Sequence, residues 1–142
     1  MRAGLIAGAL AVAVAGPAWA GGVTVQDGWM RLLLPSRPAA GYFVLHNDTD
    51  AALQLVGAAS PDCGHLMLHR SINESGQETM VMVMHVDVPA HGSISFAPGG
   101  YHLMCTSPAA SMHKGGSVPV TLRFADGQHV DANFAVKGAT GE

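Results

Sequence analysis

Turn-forming residues interrupt this chain at intervals of about 8 to 12 positions, and no apolar pattern of period 3.6 runs far enough between them for a long helix. The turns are plain at Pro35-Ser36-Arg37-Pro38, Asn47-Asp48, Glu74-Ser75-Gly76, Pro98-Gly99-Gly100 and Asp126-Gly127. Between them the spacing predicts strands over 23–33, 41–46, 52–58, 65–72, 78–86, 93–96, 101–106, 118–125 and 129–136, with a short helix around 107–114. Many short strands without crossover helices point to one all-β domain, an antiparallel β-sandwich or small barrel. No repeat, linker or low-complexity segment divides it.

Residues 1–20 read as a secretory signal peptide ahead of a domain over 21–142. Arg2 precedes an apolar run over 5–14, Gly16-Pro17 breaks any helix, and Ala18-Trp19-Ala20 offers small residues around a cleavage point. The run falls short of the roughly 20 residues that span a bilayer, and no basic stop-transfer cluster follows. A monomer without a membrane span after cleavage is expected. Export permits a disulfide between Cys63 and Cys105; two buried free thiols are the alternative. Their spacing excludes a C-x-x-C redox motif. Asn47-Asp48-Thr49 and Asn73-Glu74-Ser75 match the glycosylation pattern, which matters only in a eukaryotic secretory pathway. Seven basic residues against ten acidic ones leave no surface for nucleic acid.

Eight His and eight Met stand out in a chain with 12% charged residues. Alternate residues of a strand share a face. His65, Met67 and His69 therefore share one face, Met80, Met82 and Met84 another, and His102 and Met104 a third, with Tyr101, Leu103 and Cys105 turned away. For any single Met, core filling is the plainer role, and a His on an apolar face more often serves structure. Thioether sulfur, however, is soft and uncharged and suits Cu(I), while neutral imidazole adds a second donor type. A redox-cycling blue-copper site would add a thiolate, and Cys105 faces away from His102 and Met104.

His69, Met80, His102 and Met104 form the pattern H-x10-M-x21-H-x-M. Together with Trp29-Met30-Arg31, Ala40-Gly41-Tyr42-Phe43, Pro98-Gly99-Gly100-Tyr101-His102-Leu103-Met104 and Val118-Pro119-Val120-Thr121-Leu122-Arg123-Phe124, it resembles the PCu(A)C-type periplasmic copper chaperones over nearly the whole mature chain. The resemblance implies a cupredoxin-like (Ig-like Greek-key) sandwich that carries Cu(I) on its surface through His69, Met80, His102 and Met104. It also implies a periplasmic copper-accepting partner, with the copper centre of cytochrome c oxidase as the family's best-known destination. Met82 completes a Met-x-Met pattern and would shape the site. Met67 stands where the family often has an acidic residue, and His65 adds a donor on that face, so alternative ligation or a second copper is open there. His85, His91, His113 and His129 receive no role.

Competing functions are copper storage or detoxification without delivery, an enzyme, and a structural sandwich whose Met are core. No Ser-His-Asp elbow, paired catalytic carboxylates or phosphate-cradling loop supports the enzyme. His ligation makes copper affinity weaken as pH falls through roughly the ordinary imidazole value of 6.5.

Overall fold

The computed structural model describes residues 18–20 and 22–142, so most of the expected signal peptide lies outside the described residues. Eleven strands are present among the described residues: β1 (Ala18–Ala20), β2 (Val23–Arg31), β3 (Ala39–Asn47), β4 (Leu53–Ala59), β5 (Cys63–Glu74), β6 (Gln77–Met82), β7 (Val86–Val88), β8 (Gly92–Phe96), β9 (Tyr101–Pro108), β10 (Ser117–Phe124) and β11 (His129–Lys137). They pair in the order β6-β5-β9-β3-β2-β11-β10-β4-β7, with β1 on β2 and β8 on β3. The all-β, single-domain expectation holds.

Strict alternation builds the interior. On β10 Val118, Val120, Leu122 and Phe124 point inward, on β3 Ala39, Phe43 and Leu45, and on β11 Val130, Phe134 and Val136. The ring of Phe43 stacks on Phe96 at 4.4 Å and tilts against Phe134 at 5.6 Å, so residues from β3, β8 and β11 meet in one core. Burying such side chains is worth about 1.5–3 kcal/mol each, and this burial does most to hold the strands together.

Three sequence expectations need correction. The sheet is not purely antiparallel: β11 runs parallel to β2 over Trp29–Arg31 and Ala135–Lys137. A register shift in β2 between Gln26 and Trp29 redirects the strand, with Asp27 at φ 56°. Gly28 permits the approach, because a Cβ there would lie 2.7 Å from the Phe134 ring. The segment 107–114 is not helical. Strand β9 runs on through Pro108, Ser107 sits at φ 48°, and the loop makes single turns such as Met112 N–H to the Ala109 carbonyl at 2.9 Å. Finally, the predicted strand over 78–86 is two strands, β6 and β7, so Met84 lies beyond the end of β6 and does not continue its face.

Asn47, one of the two glycosylation-pattern residues, is wholly buried. Its Nδ2 donates to the carbonyls of Ala51, Val88 and Pro89, and its Oδ1 accepts from Thr49 N–H and Oγ1. It serves as a strap between the β3 end and the β7–β8 turn. Cys63 and Cys105 form a disulfide, the first of the two sequence alternatives. It ties β5 to β9 across a sequence separation of 42. A closed loop of that size removes about 4 kcal/mol of chain entropy from the unfolded state. Urea unfolding with and without reductant should therefore show a loss of about 2–5 kcal/mol on reduction, and coincident curves would contradict this account.

Candidate metal centre

The hairpin from β5 to β6 turns through Ser75 and Gly76, at φ 52° and 81°. Two successive positive φ values mark the type I′ turn that suits a two-residue hairpin, and Gly takes the second position freely. That turn fixes the register Ser71↔Met80 and His69↔Met82. On the other side, β5 pairs with β9 as His69↔His102 and Met67↔Met104. The row Met82–His69–His102 thus crosses three adjacent strands. A second row runs Met67–Met104–Ala40–Arg31 through β3 into β2. Leu66, Leu68, Leu103 and Cys105 occupy the opposite, core-facing side.

The candidate residues are therefore brought onto one outer face, with one adjustment. Met82, not Met80, stands directly opposite His69; Met80 pairs with Ser71 one pleat further along. The seven Met of the described residues divide clearly. Met30 and Met112 fill the core, Met67 and Met104 are half-buried, and Met80, Met82 and Met84 are 58%, 61% and 78% exposed. Core filling accounts for the first two only.

The imidazoles are placed differently from the thioethers. His102 is only 3% exposed although it lies on the outer face. Its ring meets that of His69 edge-on, with centres 5.7 Å apart. The turn Ala97-Pro98-Gly99-Gly100, closed by Gly100 N–H to the Ala97 carbonyl at 3.0 Å, directs the Gly100 carbonyl inward. Pro at the second and Gly at φ 86° in the third position are what a type II turn requires. That carbonyl accepts from Ser71 N–H at 3.0 Å and from His102 Nδ1 at 3.3 Å. A carbonyl can only accept, so His102 carries its proton on Nδ1 and its lone pair on Nε2. Nε2 is buried without a hydrogen-bond partner, and so is Nδ1 of His69. Buried polar atoms are normally paired, so two unpaired imidazole nitrogens on neighbouring rings mark a site shaped for something else.

Residues outside the spaced pattern complete the surroundings. Tyr42 lies on the same face of β3 as Ala40, nearly fully buried yet outside the core cluster. Trp29 packs on it at 4.9 Å and the Arg31 guanidinium covers its ring at 5.3 Å. Parity along 39–47 places Tyr42 on the outer face, but only the packing of Trp29 and Arg31 reveals that it is covered. Of the other histidines, His91 pairs with Asp50 at 2.6 Å, His46 bridges Ser93 and Gln26, and His113 lies against the Ser111 carbonyl. Among the described residues no group of three His, Cys, Asp or Glu converges.

The chain matches the family model described as "Putative lipoprotein LpqE-like" over residues 23–136. It belongs to the LpqE-like family. The Leifsonia xyli subsp. xyli protein named "Putative lipoprotein Lxx21020" is 32% identical over 123 residues, covering 86% of this chain and 74% of the relative. Among solved structures, apo-DR1885 from Deinococcus radiodurans is 30% identical with a TM-score of 0.65, covering 99% of this chain and 96% of that one. The copper-bound PCuAC domain from PmoF2 superposes with a TM-score of 0.70 at 22% identity, covering 85% of this chain and 97% of that one. This LpqE-like chain thus has the cupredoxin-like fold of PCuAC domains, as the family resemblance implied. No helix among the described residues is long and apolar enough to cross a membrane.

Burial lowers the pKa of His69 below the ordinary imidazole value of 6.5. It lowers His102 as well; the Gly100 carbonyl opposes that shift, while His69 and Arg31 reinforce it. With folded values below the unfolded one, the unfolded chain binds more protons between them. Their contribution is therefore complete above about 6.5 and is lost as pH falls toward the lowered values. The melting temperature of the apo protein should drop on acidification from pH 7.5 to 5.5, and His102→Gln should flatten that drop. An unchanged slope in the variant would remove His102 as its source.

Proposed function

We propose that this protein is an exported Cu(I) carrier that holds one copper ion through His69, Met80, His102 and Met104 and passes it to a copper-accepting periplasmic protein. The observation that carries the reading is the pair of buried imidazole nitrogens without hydrogen-bond partners, set among thioethers on one sheet face. Cu(I) is the cargo such donors choose. Thioether and neutral imidazole are soft or intermediate donors, add no negative charge and suit a monovalent cation better than calcium or zinc. A related structure described as CuI-DR1885, 30% identical to this chain, supports the choice of ion and oxidation state. Assembly of the copper centre of cytochrome c oxidase is the destination the motif resemblance favours.

Delivery rather than storage fits the donor set. A site of neutral ligands holds its ion without net Coulombic attraction, so an acceptor offering thiolates can take it by stepwise exchange. Cleavage after Ala20 would remove β1 from the edge of β2 and leave Gly21 as the first residue of the exported protein, which mass spectrometry of that protein reads directly.

The deciding experiment is an anaerobic Cu(I) titration against a competing chelator, with the ion supplied as its acetonitrile complex so that the disulfide stays intact. X-ray absorption should count about two sulfur and two nitrogen ligands. A His69→Ala, Met104→Ala double variant should lose affinity by at least the hundredfold that marks the upper end for changes merely adjacent to a metal site. Full affinity in that variant would end the assignment. Transfer of the ion to an apo acceptor separates a carrier from a protein that only stores copper.

A further inference from the structure

The methionines left over by this assignment are not scattered. Met67, Met82 and Met84 line one cavity of about 200 Å³ between β4 and β5. The chain brings them there in a definite way. Met82 ends β6 opposite His69, and Val83 N–H then donates to the Leu68 carbonyl at 3.0 Å, so the backbone stays against β5 and carries Met84 toward the Met67 side. The remaining wall comes from apolar residues such as Val56 and Leu68, and from Arg123. None of the lining residues is acidic and none is a histidine.

We infer that this cavity is a second metal site, a thioether-only position that takes a soft monovalent cation, Cu(I) or Ag(I). Core packing does not explain Met82 and Met84, which stand mostly in water, and Met67 is only half-buried. A long apolar side chain at an exposed position gains little from burial, whereas sulfur gives it a function there. Hard cations need oxygen donors and zinc prefers thiolate or imidazole, so the lining selects soft ions alone. Arg123 sets a fixed positive charge on the wall, which weakens the hold on any cation and makes this site the looser of the two. Met67 lies directly opposite Met104 and Met82 directly opposite His69, so the cavity adjoins the imidazole site across single strand spacings. Its use as a waiting position for that site rests on the function proposed above; its existence as a site does not.

Methionine-methyl NMR of the whole chain, titrated anaerobically with the Cu(I)–acetonitrile complex, tests both sites at once. The first equivalent should move the Met104 methyl. A second, at least tenfold weaker, should move Met67 and Met84, while the buried Met30 and Met112 stay still. Met67→Leu with Met84→Leu, which keeps volume and apolar character, should abolish the second step and leave the first step and the melting temperature unchanged. The inference falls if Met67 and Met84 do not move, if they move with the first equivalent, or if the double variant keeps the second step. A missing first step with the second retained would overturn the His69/His102 assignment instead.

Discussion

Everything in the candidate site depends on the register between β5 and β9. Side chains alternate with a period of two, so a slip of one residue would turn His69 into the core and bring Leu68 to the surface. Several devices hold this one alignment. The disulfide from Cys63 to Cys105 fixes one end, where Cys105 is packed in the core. At the other end the Gly100 carbonyl accepts from Ser71 of β5 and from the His102 ring of β9. The Ser75-Gly76 turn then copies the alignment onto β6. Covalent bond, backbone bond and turn geometry agree, and the donor face follows from their agreement.

Within that frame the site carries a deliberate cost. Leaving a buried polar atom unpaired costs about 1–3 kcal/mol, and here two nitrogens on neighbouring rings are left so. A domain whose total stability is some 5–15 kcal/mol tolerates this only if the surroundings are otherwise well satisfied. Asn47 shows the contrast, since both ends of its buried amide are matched to partners. Trp29 and Arg31 cover the Tyr42 ring on the same outer face, and none of the three supplies a partner for His102 Nε2. Local departures from full satisfaction are expected where a function needs them, and among the described residues the unpartnered buried side-chain atoms are this pair.

The face arrangement was legible in the sequence because parity needs no knowledge of the fold: 65, 67 and 69 share a side wherever their strand goes. Parity also separated Cys105 from Met104 correctly. It could not say that His69 and His102 are direct cross-strand partners, because register between β5 and β9 is set by long-range contacts. Met84 was misplaced because the break after Met82 carries no Gly or Pro; regular pairing stops there although Val83 N–H still reaches the Leu68 carbonyl. The parallel β2–β11 pairing was hidden for a similar reason. Its permissive residue, Gly28, matters only once Phe134 is known to press against it. The loop over 107–114 misled by composition: Ala109, Ala110 and Met112 favour a helix, but Pro108 and Gly115-Gly116 hold the segment to single turns, and Met112 is drawn into the core.

The uneven burial of the donors gives the proposed site a direction. Its His102 ring is buried and His69 and Met104 are half-buried, while the thioethers of β6 stand in water at the edge of the sheet order. Strand β6 has β5 on one side and no neighbour beyond it in that order, so its side chains can shift with little loss of packing. An incoming thiolate would meet the Met side first and displace a thioether before any imidazole. Each such exchange replaces one neutral donor at the exposed edge and leaves the buried pair in place until last. On that proposal the ion would leave by the same face that admits the acceptor, without the core strands having to move.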